Sequence, residues 1–307
     1  MRARQAQAEI ESAVKKISLL ICFVCVTLCT ARGTDRRIAF ERDETVNISN
    51  LEGTVIRQLA NGLFPAISTD GKSVAFTMVE NNAGEYIRRL AVIDVGSGAQ
   101  RVFSEVASDN SYYADWSPDG TWILFTLRTE GVWNLGIVKA DGTDFRVIKK
   151  GDQDKVTFYS PCWAADGQSV FCQDMTNIYR LGLDGSIQGQ WPIRQITPNG
   201  GMTGDARIDV SPDGHRLLLS VDMDEEYDRK DWDGPVPALW SFDLSTEAAV
   251  RLTSKSLFAW DGCWLDDNNI LFVSQRPGDK QAAIYRTNGK VLKRLIENAR
   301  RPSVSKP

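Results

Sequence analysis

The sequence predicts an all-β fold, a six-bladed β-propeller that is closed by the two ends of the chain. Three observations carry this prediction: a short phrase that recurs six times, a second turn signal in each repeat, and a chain that begins and ends part-way through a repeat. The phrase is an aromatic or β-branched residue followed by a small residue, a spacer and a turn. Its copies begin at Ile67, Trp116, Trp163, Val210, Trp264 and Val304. They lie roughly 50 residues apart, which is the usual spacing of propeller blades.

The turn in the phrase predicts a tight hairpin between two apolar runs. It is an Asp-Gly pair that ends at Gly71, Gly120, Gly167 or Gly214. Glycine accepts a positive φ without steric penalty, and aspartate bonds its own backbone, so the pair favours a hairpin. The fifth copy has Asn268 instead, and asparagine is the next-best residue for a left-handed turn position.

A second turn follows in each repeat, and a basic residue within an apolar run comes after it. These basic residues are Arg57, Arg101, Arg146, Arg194, Arg251 and Arg294. Each repeat therefore predicts four antiparallel strands, A to D. We expect the arginines on the outermost strand, where charge protects an exposed sheet edge from pairing with other chains.

The ends of the chain predict how the propeller closes. The first repeat has strands B, C and D only, over residues 38–59, and the last has strand A only, over residues 301–305. We expect the C-terminal A strand to join the N-terminal B-C-D strands and complete the first blade. The propeller domain is predicted over residues 37–307.

Residues 1–31 differ from the rest of the chain and read as a secretory signal peptide. Lys15 and Lys16 precede an apolar run over residues 17–28, and Ala31 supplies a small residue for cleavage. The run is too short for a comfortable membrane span. An uncleaved membrane anchor is the alternative, and it would be the only contact with a membrane. The predicted location is periplasmic or secreted.

Charge and cysteine content narrow the function. The formal net charge is −4 at pH 7 and no dense basic run occurs, which argues against binding nucleic acid through phosphates. Three cysteines follow the signal segment: Cys162, Cys172 and Cys263. Cys162 and Cys172 flank one hairpin but are one residue out of register, so they fall on opposite faces of the strand pair. We expect free, buried thiols.

Residues 112–126 and 209–219 resemble the WD40-like repeat, also called PD40, of the TolB-like propeller family. The resemblance covers residues 37–307. It implies an exported six-bladed propeller. Periplasmic members of the Tol-Pal envelope system carry an α/β domain ahead of the propeller, and we expect no such domain here because the repeats start directly after the signal segment. The expectation that carries over is an exported propeller with another binding role.

No catalytic constellation is visible in the sequence. The single histidine, His215, lies beside the Asp213-Gly214 turn, where a solvated turn residue is expected. One histidine cannot form the metal-binding cluster of pectate-degrading propellers that share the repeat. A Gly-x-Ser-x-Gly nucleophile elbow is absent. The sequence therefore predicts no enzyme and no catalytic residue.

An acidic insertion at residues 222–235 breaks the repeat. Its candidate calcium ligands are Asp222, Asp224, Glu226 and Asp228. The spacing lacks the glycine and the terminal glutamate of a helix-loop-helix calcium loop, so a solvated loop with no cofactor is the first expectation and calcium the alternative. Trp232 is the candidate binding residue, because long loops on rigid scaffolds often carry function.

The tryptophans bear on a possible sugar site. Trp116, Trp163 and Trp264 share one repeat position and predict packing between blades, while the remaining six are Trp122, Trp133 and Trp240 on predicted strands and Trp191, Trp232 and Trp260 as surface candidates. The sequence favours a monomeric, non-enzymatic module that binds an unidentified envelope or extracellular protein. A carbohydrate-binding or polysaccharide-processing propeller is the alternative.

Overall fold

The computed structural model describes residues 36–306 except residues 83, 107, 109 and 153–155. In that part of the chain the regular structure is β-strand apart from one four-residue helix, α1 (Ile193–Ile196). No helix among the described residues is long and apolar enough to span a membrane. The predicted signal segment, residues 1–31, lies outside the described residues.

The first and last strands of the described chain lie in one four-stranded sheet. Its order is β25-β1-β2-β3, with β1 (Arg37–Arg42), β2 (Thr45–Asn50), β3 (Arg57–Asn61) and β25 (Arg300–Val304). β25 pairs antiparallel with β1, and Ile38 lies opposite Val304. The C-terminal strand thus pairs with the strand that begins the described chain.

The next sheet has eight strands in two antiparallel halves. The first half is β4 (Leu63–Ile67), β5 (Ser73–Asn82), β6 (Glu85–Asp94) and β7 (Gln100–Val102), and the second is β8 (Asn110–Trp116), β9 (Trp122–Thr129), β10 (Val132–Lys139) and β11 (Arg146–Lys149). The halves are joined by one parallel pairing, Arg88 with Asn110. Each half is therefore a four-stranded unit of its own.

Three further sheets complete the described chain. They are β12 (Tyr159–Trp163), β13 (Ser169–Gln173), β14 (Asn177–Gly182) and β15 (Ile187–Pro192); then β16 (Gly200–Gly201), β17 (Ile208–Val210), β18 (Arg216–Met223), β19 (Val236–Asp243) and β20 (Ala249–Arg251); then β21 (Ala259–Asp266), β22 (Asn269–Ser274), β23 (Ala283–Thr287) and β24 (Leu292–Glu297). All their pairings are antiparallel.

The predicted Asp-Gly hairpins are confirmed. Gly71, Gly120, Gly167 and Gly214 join the first two strands of their units with φ between 66° and 76°. The prediction for Asn268 is wrong, since its φ is not positive. In that unit Asp266 pairs with Asn269 across a two-residue turn, so the chain reverses without a left-handed residue at position 268.

Five of the six repeat arginines lie on outer strands, as predicted. Arg194 does not. The β14–β15 pairing ends at Pro192, which has no N–H to donate, and the chain turns into α1 from Ile193 onward. Arg194 therefore lies on α1.

The cores lie between neighbouring sheets. Leu124 and Ile137 of one unit pack with Trp163 and Val170 of the next. Trp163 is 1% exposed, and Trp116 and Trp264 are also buried, which confirms that these tryptophans pack between units. Sheets stacked face to face in this way, with their repeat tryptophans between them, have the arrangement of an all-β propeller.

The three cysteines in the described chain are free and buried, as predicted. Cys162 lies opposite Phe171, while Cys172 lies opposite Tyr179. Because neighbouring residues on a strand face opposite sides, the thiols of Cys162 and Cys172 cannot meet.

Candidate binding site

One repeat position lines the entrance of a central cavity. It lies three residues before the aromatic or β-branched residue of each repeat, and its occupants are Phe64, Tyr113, Ser160, Arg207, Asp261 and Arg301, which all line this cavity. We call them the mouth ring. The ring has an aromatic and hydroxyl half on one side and a charged half on the other.

The backbone at the mouth ring is strained. Every member except Arg207 has a positive φ, between 49° and 54°. At each of these five the strand register is interrupted. A bulge of this kind redirects a side chain, and non-glycine residues in the left-handed region cluster at functional sites. The repeated strain marks this entrance as the candidate site.

The two arginines of the charged half bond to groups outside the ring. The Nη1 atom of Arg301 donates a hydrogen bond to Oε2 of Glu41 at 3.0 Å, and its guanidinium lies 3.9 Å from the ring centroid of Phe64. Arg207 donates to the carbonyl oxygen of Pro302. Burial raises the pKa of the Asp261 carboxyl, and the positive charges of Arg301 and Arg207 oppose that rise.

Five aromatic side chains form a wall beside the entrance. This aromatic wall consists of Phe64, Tyr112, Tyr113, Trp133 and Tyr159, which come from β4, β8, β10 and β12. Neighbouring ring centroids lie 4.7 to 6.5 Å apart. Together with Asp205 and Arg301 the wall lines a recess of about 260 Å³.

Several polar groups of this recess have no protein partner. Among the described residues no hydrogen bond is found for the hydroxyls of Tyr112 and Tyr113 or the indole N–H of Trp133. Asp205 is exposed and accepts one hydrogen bond, from Oγ1 of Thr203 at 2.7 Å. Burial raises the pKa of both Tyr112 and Tyr113, so their hydroxyls stay protonated and can donate.

A second ring lies deeper, at the position immediately before the repeat residue. Its members are Ala66, Asp115, Cys162, Asp209, Cys263 and Ser303, which line the central cavities. Burial raises the pKa of Asp115 to about 6 and also raises that of Asp209. Lys306 and Arg207 lie near both carboxylates and oppose these shifts. The central cavities thus hold two carboxyl groups with raised pKa close to the positive charges of Arg207 and Lys306.

The acidic insertion begins later than predicted. Asp222 is not a loop residue, because β18 continues through Met223 and Asp222 pairs with Pro237 of β19. Burial raises its pKa. At the start of the loop, Glu225 accepts hydrogen bonds from Nη1 of Arg251 at 2.8 and 2.7 Å, and both side chains are only 15% exposed. This ion pair ties the loop to the outer strand β20.

The candidate calcium ligands are not brought together as a metal site. In the described part of the chain, no group of three or more His, Cys, Asp or Glu side chains is placed to hold a metal ion. Asp224, Glu226 and Asp228 lie along the loop after β18, while Asp222 lies within that strand. The calcium alternative therefore stays a prediction without a visible ligand set.

Trp232, the candidate binding residue, is partly buried in an aromatic cluster of its own. Its ring centroid lies 5.3 Å from that of Phe258 and 5.9 Å from that of Trp260. Its indole N–H donates to the carbonyl oxygen of Pro235 at 2.9 Å. These contacts make Trp232 an anchor of the loop, and they place it apart from the aromatic wall.

The aromatic wall was not found from the sequence. Trp133 lies on a strand as predicted, but its ring is partly exposed in the recess. Reading the third residue before each repeat aromatic would have revealed the mouth ring. That position varies from Arg to Phe to Asp, so it does not appear in a repeat consensus.

No family model matches the chain, but two curated proteins are similar to part of it. A protein TolB homolog of Chlorobaculum tepidum is 30% identical over 152 residues, which are 46% of this chain and 33% of that protein. Dipeptidyl-peptidase 5 of Porphyromonas gingivalis is 24% identical over 139 residues, which are 43% of this chain and 20% of that protein. The matches thus span at most a third of the length of these relatives.

Two solved structures of TolB proteins have a similar fold. TolB from Acinetobacter baumannii superposes with a TM-score of 0.64 at 16% identity, covering 89% of this chain and 67% of that one. The putative TolB from Agrobacterium tumefaciens gives 0.59 at 15% identity, covering 86% and 89%. The resemblance to TolB-like propellers is confirmed, and at this identity the structures establish the fold.

Proposed function

We propose that this chain is an exported, non-enzymatic, six-bladed propeller whose mouth face docks a protein partner in the periplasm or outside the cell. The observation that carries the proposal is the mouth ring, in which five strained residues converge on one entrance. The likeness to TolB-like propellers supports a module of this class.

The blade count is part of the proposal. The eight-stranded sheet divides into two four-stranded halves at the single Arg88–Asn110 pairing, which gives six units in all. The mouth-ring position also occurs six times around the entrance. The pairing of β25 with β1 supports closure by the C-terminal strand, which would cover the edge of β1.

The mouth face also carries the strand pair with the most paired positions in the described part of the chain, β5 with β6. Thr77 of β5 pairs with Leu63, where β4 begins, and β5 and β6 continue beyond that point on the same side as the mouth ring. Val79 and Tyr86 lie in this extension and are 36% and 55% exposed. Exposed apolar side chains on a long hairpin are typical of a contact surface for another protein.

The non-enzymatic part of the proposal rests on the chemistry of the mouth. His215 is the single histidine of the chain, and it lies at an Asp-Gly turn, where its backbone N–H donates to Oδ1 of Asp213 at 3.0 Å. That turn is at the far end of the inner strands from the mouth ring. Among the described residues, Arg301 of the mouth is paired with Glu41, and Asp261 lies near the positive charges of Arg301 and Arg207.

A cross-linked pull-down from the envelope fraction of the source organism tests the docking proposal. We expect the full-length chain to enrich one protein, and Val79→Asp with Tyr86→Ser to lose it. Ile187→Ser, at an exposed residue on the outer strand β15, is the matched control and should keep it. An enrichment that is equal for all three proteins, or none at all, would contradict docking on this face.

A further inference from the structure

The recess behind the mouth differs from the exposed hairpin in shape and chemistry. It is concave and lined by the aromatic wall with Asp205 and Arg301. From this geometry we propose that it is a saccharide subsite that takes one neutral pyranose ring. The proposal goes beyond protein docking, because the recess takes a small ligand while the exposed β5–β6 hairpin contacts a protein.

The wall has the form that a sugar ring requires. The ring planes of Tyr112 and Trp133 are inclined by 53°, and those of Trp133 and Tyr159 by 51°. Successive rings are therefore tilted relative to one another where they line the recess. A pyranose presents a flat face of C–H groups, which packs on aromatic faces and removes apolar area from water, while its hydroxyls point outward from its edge.

The polar groups of the recess match those hydroxyls. The hydroxyls of Tyr112 and Tyr113 and the indole N–H of Trp133 can donate, and the Asp205 carboxylate can accept. None of the three donors has a partner among the described residues, and Asp205 is bonded only to Thr203. Polar groups in a partly enclosed site are stabilised when a ligand pairs them, so a ring with several hydroxyls fits better than an apolar ring.

The charges around the wall decide against a cationic ligand. The Arg301 guanidinium already lies 3.9 Å from the centroid of Phe64, and that of Arg88 lies 5.7 Å from the centroid of Tyr112. Each of these two rings therefore already has a guanidinium over it, and that positive charge repels an ammonium group. The carboxylates of Asp205 and Asp261 disfavour an anion in turn. A neutral ligand meets neither penalty.

The size of the recess limits what can enter. Its volume of about 260 Å³ lies just below the roughly 300–1,000 Å³ of sites that enclose drug-sized ligands. One ring is therefore held and the rest of a longer glycan stays outside. With a single stacked ring and a few hydrogen bonds we expect millimolar affinity, as for small contact areas in general.

Titration of the purified full-length chain with cellobiose, xylobiose and N,N′-diacetylchitobiose tests the subsite. Tryptophan fluorescence should show a saturable change with at least one probe, with a midpoint of about 1–10 mM. Trp133→Ala should abolish binding, and Asp205→Asn, at an exposed position, should weaken it roughly tenfold. Trp191→Phe is the control, since Trp191 pairs with Glu247 outside the recess.

The subsite and the docking face can fail separately. Absence of saturation up to about 100 mM with all three probes, or saturation that Trp133→Ala and Asp205→Asn both leave unchanged, would overturn the subsite. Neither result would affect the pull-down, which depends on Val79 and Tyr86. Saturation-transfer NMR on the sugar ring protons provides the second readout, and it does not depend on which tryptophan emits.

Discussion

The carboxylate of Asp115 accepts a hydrogen bond from the backbone N–H of Trp163, with 2.7 Å between Oδ2 and N, across the junction of two neighbouring units. Two other members of the deeper ring do the same. Asp209 accepts from Trp264 at 2.6 Å, and Ser303 from Ile67 at 3.1 Å. The three positions between them are occupied by Ala66, Cys162 and Cys263. Along the deeper ring, side chains that accept a backbone N–H from the next unit thus alternate with side chains that do not.

Removal of an acceptor should loosen its junction. Asp115→Ala leaves the Trp163 N–H unpaired in a buried place, and the expected loss of unfolding free energy is about 1–3 kcal/mol. Asp115→Asn keeps an oxygen acceptor and should lose much less. Urea unfolding followed by near-UV circular dichroism measures both. Equal losses for the two variants would show that the hydrogen bond is not the stabilising element.

The buried acid also makes a contribution to stability that depends on pH. The Asp115 pKa is raised from its usual 3.8 to about 6 in the folded protein. Between these values the folded state binds more protons than the unfolded state, so this contribution falls as pH rises from about 4 to about 6 and is constant above that. From pH 4 to pH 7 the melting temperature of the wild type should therefore fall relative to that of Asp115→Asn, because asparagine does not titrate. Parallel profiles would contradict the raised pKa.

Closure by the C-terminal strand predicts that removing residues 300–307 unfolds or aggregates the protein. The truncation exposes the edge of β1 and removes the ion pair of Arg301 with Glu41, along with the acceptor Ser303. Removal of Pro307 alone leaves β25 and Lys306 in place and is the control. Thermal melting with light scattering is the measurement, and a truncated chain that melts at the wild-type temperature would rule out closure by β25.

The ion pair at the start of the acidic loop should contribute more to the free energy of unfolding than the other charges of that loop. Glu225→Gln leaves the Arg251 guanidinium without its counter-ion in a place where both side chains are 15% exposed, and we expect a loss of about 1–3 kcal/mol. Glu226→Gln, one residue further on and exposed, should change stability by less than about 0.5 kcal/mol. Chemical denaturation compares the two, and similar losses would refute the special role of Glu225.

Calcium is expected to leave the protein unchanged. No metal-holding group is placed among the described residues, and Glu225 is already bonded to Arg251. The melting temperature should not move between millimolar calcium and EDTA. A rise with calcium that Asp224→Asn and Asp228→Asn remove would establish the site that the acidic insertion suggested.

The sequence predicted the parts of the fold that repeat. The Asp-Gly turns at Gly71 and Gly120 recur because each needs a glycine with positive φ at the same point of the repeat. The recurring sequence therefore predicted the hairpins and the arrangement of sheets. Arg194 was misplaced because Pro192 ends its strand early, and no pattern in the repeat anticipates that. The loop boundary at Asp222 was misplaced because acidic composition suggested a loop where strand pairing continues.

The site was much harder to predict, because it depends on differences between repeats. Phe64 and Arg301 occupy the same repeat position, yet one is apolar and the other charged. Trp133 reaches the recess from a different strand, and its neighbour Tyr159 comes from another sheet. The contact of Trp133 with Tyr159 therefore leaves no trace in the spacing of residues along the chain.

The alternation of side-chain acceptors makes the junctions between neighbouring units unequal in their hydrogen bonding. Cys162 and Cys263 hold deeper-ring positions without an oxygen acceptor on the side chain, and both thiols are buried with a raised pKa, whereas Cys172 is not a member of the deeper ring. When neighbouring units separate by local opening, we expect the junctions at Cys162 and Cys263 to open first, because no deeper-ring side chain accepts a hydrogen bond there. Alkylation rates of the three thiols in the native protein would show which junction opens. Cys162 and Cys263 should then react faster than Cys172, which serves as the slow internal reference.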